Sequence, residues 1–253
     1  MVQEFGKEDR SRDLVPEEIE RIKHQTAYIK ALEEQTRTST ADQHLNAEIN
    51  RVKIAAEAEI AQAELASVKR REELVLADDA YAHVYHFDES VNSKSVQECM
   101  ARLNWWTRAK EKCDITIIIS SPGGSITDGF VLYDYLKQIQ KKGHSVHCTV
   151  LGMAASMAGV LLQAGTPRSM GSESWLLIHE GGYGAQGSAG AMEDMHEYFK
   201  KLKSRILDIY VSRAAAVGKA ETTKTFIEGK WSRKDWWISA SEALEYGFID
   251  EIV

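Results

Sequence analysis

The chain has 253 residues, enough to bury one substantial core and to carry an appendage besides. Its net charge of -7 at pH 7 gives no basic footprint for a phosphate backbone, so nucleic acid is not expected as a partner. Its three cysteines, Cys99, Cys113 and Cys148, are too few and too irregularly spaced for a disulfide framework or a four-ligand zinc site, and no stretch approaches the ~18 apolar residues of a membrane span.

The start, MVQEFGKEDRSRDLVPEE, is polar and has no apolar h-region, which makes the cytoplasm the expected address. From Pro16 to about Leu76 the sequence is rich in Glu, Lys, Arg, Gln and Ala, all good helix formers. Two helices are predicted, broken near Thr38 to Asp42. Their apolar positions, among them Ile19, Ile22, Ile29 and Leu32, then Ile49, Val52, Ile54, Ile60 and Leu65, recur at spacings of three and four. Such a stripe is too thin to bury a core alone, so residues 1–79 read as a charged helical arm that packs on a partner chain, forms a coiled coil or stays partly disordered.

After Asp78 and Asp79 apolar runs alternate with helical stretches, the pattern of a mixed α/β domain over residues 80–253. YAHVYHF reads as a strand, SVQECMARLNWWTRAK as a helix, and CDITIIIS as a buried strand ending in the turn SPGGS. TDGFVLYDYLKQIQKKG is the next helix, SVHCTVLG a strand, AASMAGVLLQAG a helix and SWLLIHE a strand. The glycine-rich loop GGYGAQGSAG, a long helix from Met192 to about Ala216, the helix SASEALEYG and the strand FIDEIV close the chain. This order suggests an α/β fold of stacked ββα units.

Serine catalysis needs a hydroxyl on a tight turn, a base beside it, a group that orients the base, and donors for the oxyanion. In GMAASMAG, Ser156 stands where a strand turns into a helix among small side chains. A serine at a helix start is also the common N-cap. His179 ends the apolar strand WLLIH beside the glycine loop, a place where a structural histidine also occurs. Asp235 precedes the last helix; as a surface acid it would pair with Lys234 or Arg233, and in isolation it is not distinguishable from Asp194, Asp208 or Asp250. The turn at Gly123 and Gly124 either connects strand to helix or aims N–H groups at a ligand; in the second reading Gly124 and Met157 face the oxyanion, at roughly 3 to 4 kcal/mol per donor.

Taken in order and spacing, SSPGGSITDG, GMAASMAGVLLQAG, LLIHEGGYGAQG and WISASEALEYGFIDEIV resemble the successive blocks of the Clp protease proteolytic subunit family. The resemblance covers about residues 80 to 253 and implies a ClpP/crotonase-type α/β fold and a serine endopeptidase. It implies Ser156 as nucleophile, His179 as base, Asp235 as acid, and Gly124 and Met157 as oxyanion donors. Gly181, Gly182, Tyr183 and Gly184 correspond to a substrate-binding strand, and the helix from Met192 onward to a handle between rings. A homo-oligomer of one heptameric ring or of stacked rings, polypeptide substrates and an AAA+ unfoldase partner are further implications, with no metal or organic cofactor. ATP would be used only by such a partner, because the chain has no GxxxxGK[ST] loop.

Three departures modify these expectations. The helical arm replaces a short axial loop. Thr116 and Ile118 stand where the family commonly has aromatic residues that help line its unfoldase pocket, so unfoldase docking is in question. Extra residues around EGKWSRKDWW lengthen the His-to-Asp spacing and put the register of Asp235 in question. The arm and the altered pocket are more similar to phage head-maturation relatives, whose partner is a capsid or scaffold protein. A crotonase-type acyl-CoA enzyme and a non-catalytic scaffold of the same fold are the other readings.

Overall fold

The computed structural model of the chain describes residues 16–37, 43–182, 184, 186–232 and 234–253. Its backbone divides at Asp78/Asp79 into two compact units. The first contains α1 (Pro16–Arg37) and α2 (Gln43–Leu76), which pack against each other. The break expected near Thr38 to Asp42 lies outside the described residues. Among the side chains described in this pair, Ala56 and Ala63 are buried, with Gln25, Ile29, Ile49, Val52, Lys53 and Ile60 half-buried beside them. Gln25 also donates to the Glu59 carboxylate.

The second unit is built on a sheet of seven strands. They are β1 (Val84–Phe87), β2 (Asp114–Ser121), β3 (Ser145–Ala155), β4 (Arg168–Met170), β5 (Trp175–Ile178), β6 (Trp236–Ser239) and β7 (Glu251–Ile252). The order β1-β2-β3-β4-β7 is parallel throughout. β3 is long enough to pair with β4 through Cys148–Val150 and then with β5 through Met153–Ala155, and β6 adds to β5 antiparallel. Between the strands run α3 (Ser93–Ala109), α4 (Ile126–Lys141), α5 (Met157–Leu162), α6 (Ala189–Ala216), α7 (Lys224–Trp231) and α8 (Ala240–Glu245).

Alternation decides what this sheet buries. Ile115, Ile117 and Ile119 of β2 and Val146, Cys148 and Val150 of β3 join one core with Leu103 and Trp106 of α3 and Leu132 and Leu136 of α4. Each such aliphatic side chain contributes about 1.5 to 3 kcal/mol by leaving water. Thr116, Ile118, His147 and Thr149 alternate with them and stay half-buried. The three cysteines are free and buried; burial in the core pushes the Cys148 thiol up to about 12 and raises Cys99 as well.

Several boundaries differ from the sequence expectation. β1 starts at Val84 rather than Tyr81, because residues 79–83 form turns and His83 holds a φ of 55°. β4, α7 and β6 have too few residues to show a period, and the sequence reading passed over them. The helix expected over AASMAGVLLQAG begins only at Met157, since Ala154 and Ala155 still belong to β3. The glycine loop after His179 is irregular: no strand forms at Gly181, Gly182 or Gly184, and Tyr183 lies outside the described residues.

Candidate active site

β5 lies between the two strands that bring chemistry to it. On one side β3 runs parallel, pairing Ala155 with Leu177, and the Ser156 N–H donates to the Leu177 carbonyl at 2.8 Å. On the other side β6 runs antiparallel, pairing Ile178 with Trp236. One residue further, His179 and Asp235 therefore face each other, and Ser156 stands on the opposite flank of the same histidine.

The distances follow from that register. His179 Nε2 is 2.7 Å from Ser156 Oγ, within ordinary hydrogen-bond range. His179 Nδ1 is 3.5 Å from Asp235 Oδ1, an ion-pair distance too long for a strong hydrogen bond. The exposures differ in the same sense, 32% for the histidine side chain and 59% for the aspartate. Loop residues between α6 and β6 are taken up by α7, so the longer spacing leaves Asp235 beside the imidazole.

Ser156 is held in an unusual backbone state. Its φ of 56° and ψ of -123° fall where a residue with a Cβ is strained, at a cost of about 1 to 3 kcal/mol. It occupies the position preceding α5, yet its side chain makes no capping bond. The hydroxyl instead faces the imidazole, so the N-cap alternative fails on geometry. A sharp turn between strand and helix presents an oxygen in this way.

Gly123 and Gly124 close on this turn from β2. A Cβ at Gly123 would lie 2.8 Å from Ser156 Cβ and 2.9 Å from Met157 N, and its φ is already 83°. Only a hydrogen fits there. The Gly123 N–H is occupied by Ser121 Oγ at 3.2 Å, and Ser121 in turn donates to the Glu89 carbonyl at 2.6 Å. The N–H groups of Gly124 and Met157 have no hydrogen-bond partner among the described residues. Met157 follows Ser156 directly, and Gly124 follows the glycine that closes on the Ser156 turn, which makes their N–H groups the candidates for an oxyanion site.

Behind the nucleophile, α5 is buried along its whole length. Gly129 of α4 admits it: a Cβ there would come within 2.6 Å of Met157 Cε. A second anchor escaped the sequence reading altogether. Arg168, fully buried, reaches Asp250 through Nε at 3.1 Å and Nη2 at 2.5 Å, and reaches Gln163 Oε1 and the Gly247 carbonyl through Nη1 at 2.7 and 3.0 Å. Gln163 also donates to the Phe248 carbonyl at 3.1 Å, tying the end of α5 to the segment before β7. Desolvation alone would raise the Asp250 carboxyl, but hydrogen bonds from Arg168 and its charge outweigh it and hold the group below the usual carboxylate range.

The four aspartates left open by the sequence now separate. Asp250 is committed to Arg168, Asp208 pairs with Lys224 at 2.6 Å, Asp194 lies on exposed α6, and Asp235 meets the histidine. Beyond His179, Glu180 accepts from Lys203 of α6 at 2.8 Å. Gly181, Gly182 and Gly184 are exposed beside the site, without side chains to obstruct an extended ligand. An open groove of about 870 Å³ lies elsewhere, along α4 and α6 at Phe130, Tyr133, Tyr198 and Ile209, so concavity does not locate this chemistry. Among the described residues no group of three or more His, Cys, Asp or Glu side chains could hold a metal ion, and no helix is long and apolar enough to cross a membrane.

Comparisons with known proteins give the family. The family model described as Clp protease matches residues 76–253. A stretch of 144 residues is 40% identical to the ATP-dependent Clp protease proteolytic subunit of Bacteroides fragilis, covering 55% of this chain and 64% of that one. The chain thus spans less than two thirds of that relative. It is also similar to the proteolytic subunit 2 of Tropheryma whipplei, at 32% over 65% of this chain and 87% of the other, and to the proteolytic subunit 1 of Chlamydia muridarum, at 34% over 66% and 84%.

Proposed function

The chain belongs to the Clp protease family, and on that premise we propose that it is a serine endopeptidase with Ser156 as nucleophile, His179 as general base and Asp235 as the residue that orients the base. One observation carries this reading: a serine at a strained, non-capping turn has its hydroxyl 2.7 Å from an imidazole nitrogen. With Nδ1–H directed at Asp235, the Nε2 lone pair is free to take the Ser156 proton. Oγ then attacks a peptide carbonyl, and the oxyanion accepts from the Gly124 and Met157 N–H groups. The imidazolium returns its proton to the leaving amine. Water, deprotonated by the same Nε2, attacks the acyl ester and releases Ser156 with its hydrogen restored. The exposed backbone at Gly181, Gly182 and Gly184 lines the substrate.

Relatives bearing the printed name of a proteolytic subunit support a homo-oligomer that cuts polypeptides inside a ring or stacked rings. Met192, Met195 and Tyr198, exposed on α6, suit a handle between copies. Three free, buried thiols suit a reducing compartment, which we read as cytoplasm.

The partner is a separate matter, and one observation favours a departure from the unfoldase-dependent form. On β2, β3 and β4 the row beside Ile118 is polar, with Thr149 and Ser169 hydroxyls 2.8 Å apart, and Thr116 lies one pair away. A docking segment seeking aromatic contacts meets the half-buried Thr116, Ile118 and Thr149 instead. This supports a peptidase that works without an AAA+ unfoldase and engages a capsid or scaffold substrate directly, as in phage head maturation.

Labelling of the purified chain with a fluorophosphonate probe, read beside cleavage of a small peptide, tests the activity. Both signals are expected in the wild type and neither in Ser156→Ala. An assembled wild type that neither labels nor cleaves would sink the peptidase reading.

A further inference from the structure

α2 carries two seams: α1 lies along one of them, which mixes Ile and Ala with Lys53, Ser67 and Arg70, and the other is apolar but for Glu72. Positions 49, 53, 56, 60, 63, 67 and 70 alternate spacings of four and three, and every one is buried or half-buried. Five residues further on, about 140° round the helix, positions 54, 58, 61, 65, 68, 72 and 75 repeat the same spacing. They are Ile54, Ala58, Ala61, Leu65, Val68, Glu72 and Val75, and all seven are exposed. The large members stand out furthest: Ile54 is 66% exposed, Val68 59%, Leu65 56% and Val75 50%. A regular four-three repeat of this kind is the seam of a coiled coil, and a solvated helix has no reason to keep it.

We propose that this second seam docks on the same seam of a second copy of the chain, antiparallel, about a two-fold axis near residue 63. Side-chain volume favours that arrangement. Antiparallel layers set Ala61 against Leu65 of the second copy and Ala58 against Val68 of the second copy, a small residue opposite a large one in each layer. Parallel layers would stack alanine on alanine, leaving voids, and would bring Glu72 against Glu72 within the seam, where like charges repel.

Charge points the same way. Glu57, Glu59 and Glu64 make the first half of the stretch acidic, while in the second half Lys69, Arg70 and Arg71 outweigh Glu72 and Glu73 and leave a small positive balance. Antiparallel pairing sets the acidic half of one copy beside the basic half of the other. Two-fold symmetry satisfies both ends at once, as an isologous contact requires. The inference concerns α2 alone and stands independently of the chemistry at Ser156.

Cysteine pairing in the full chain tests it, since Cys99, Cys113 and Cys148 are buried and leave a silent background. Ala58→Cys and Val68→Cys chains are oxidised separately and after co-assembly from a mixture, with helicity checked by circular dichroism. The expected result is a disulfide-linked dimer at least tenfold more abundant in the mixture than in either variant alone, and its loss when Leu65→Glu is added to both chains. Links formed equally by each variant alone would establish a parallel contact and overturn the proposal. Helical chains that form none in the mixture would overturn it too.

Discussion

The two units of this chain are held together in opposite ways. Residues 79–253 bury Trp, Leu, Ile, Val and Phe side chains between a sheet and its helices, whereas among the described side chains of the α1–α2 pair the buried ones are Ala56 and Ala63. Alanines and half-buried positions give a helix pair little from its own interior. The lesson is that one unit carries its stability inside and the other leaves its apolar surface outside. In the first, a single atom added near Ser156 has no space; in the second, whole side chains can be exchanged at small cost.

The sharpest contrast is expected at Asp250. Asp250→Ala leaves the fully buried Arg168 guanidinium without its carboxylate and should lower stability by about 3 kcal/mol, read by denaturant unfolding. The pH dependence follows with a definite sign. Because the folded-state carboxyl is held below its unfolded value near ~3.9, its contribution is complete above that pH and is lost as pH falls through the folded value. The melting temperature of Asp250→Asn should therefore fall less steeply below about pH 4 than that of the wild type. Parallel slopes would break the argument.

Gly123→Ala comes next. The new methyl meets Ser156 Cβ and Met157 N, and the backbone is already at positive φ, so a loss of about 2 kcal/mol is expected. Peptide cleavage should fall by roughly 10³-fold through displacement of the nucleophile and its oxyanion donors. At Ser156 itself the direction reverses. Ser156→Gly relieves the strain that Ser156→Ala retains, so the glycine variant should be the more stable of the two by about 1 kcal/mol while neither cleaves peptide.

The smallest effect belongs to the helical unit. Leu74→Gln, 71% exposed before substitution, should change stability by less than about 0.5 kcal/mol. A larger loss at that position would erase the distinction between the two units.

Much of the site was legible because it follows local pattern. Ser156 after a strand, His179 at the end of an apolar run and two glycines after ITIIISSP each mark a place where a chain can turn and present a group. Arg168, Gln163 and Ser121 were not legible, because each acts through a partner remote in the chain; Arg168 meets Asp250 and Ser121 meets Glu89. Nor could composition reveal the strain at Ser156, since φ is set by the strands on either side of the turn.

The sequence by itself determined the α/β class, the helical character of residues 16–37 and 43–76 and the positions from which a hydroxyl and an imidazole could be offered. Helix and strand periodicity are local properties, written within a few turns or pleats of the chain. Which aspartate meets the imidazole was decided only in three dimensions. Asp194, Asp208, Asp235 and Asp250 look alike along the chain, but antiparallel pairing of Ile178 with Trp236 brings Asp235 to His179, while Arg168 and Lys224 take Asp250 and Asp208. Strand register converts separations of more than fifty residues into neighbouring positions, and no local pattern encodes that conversion.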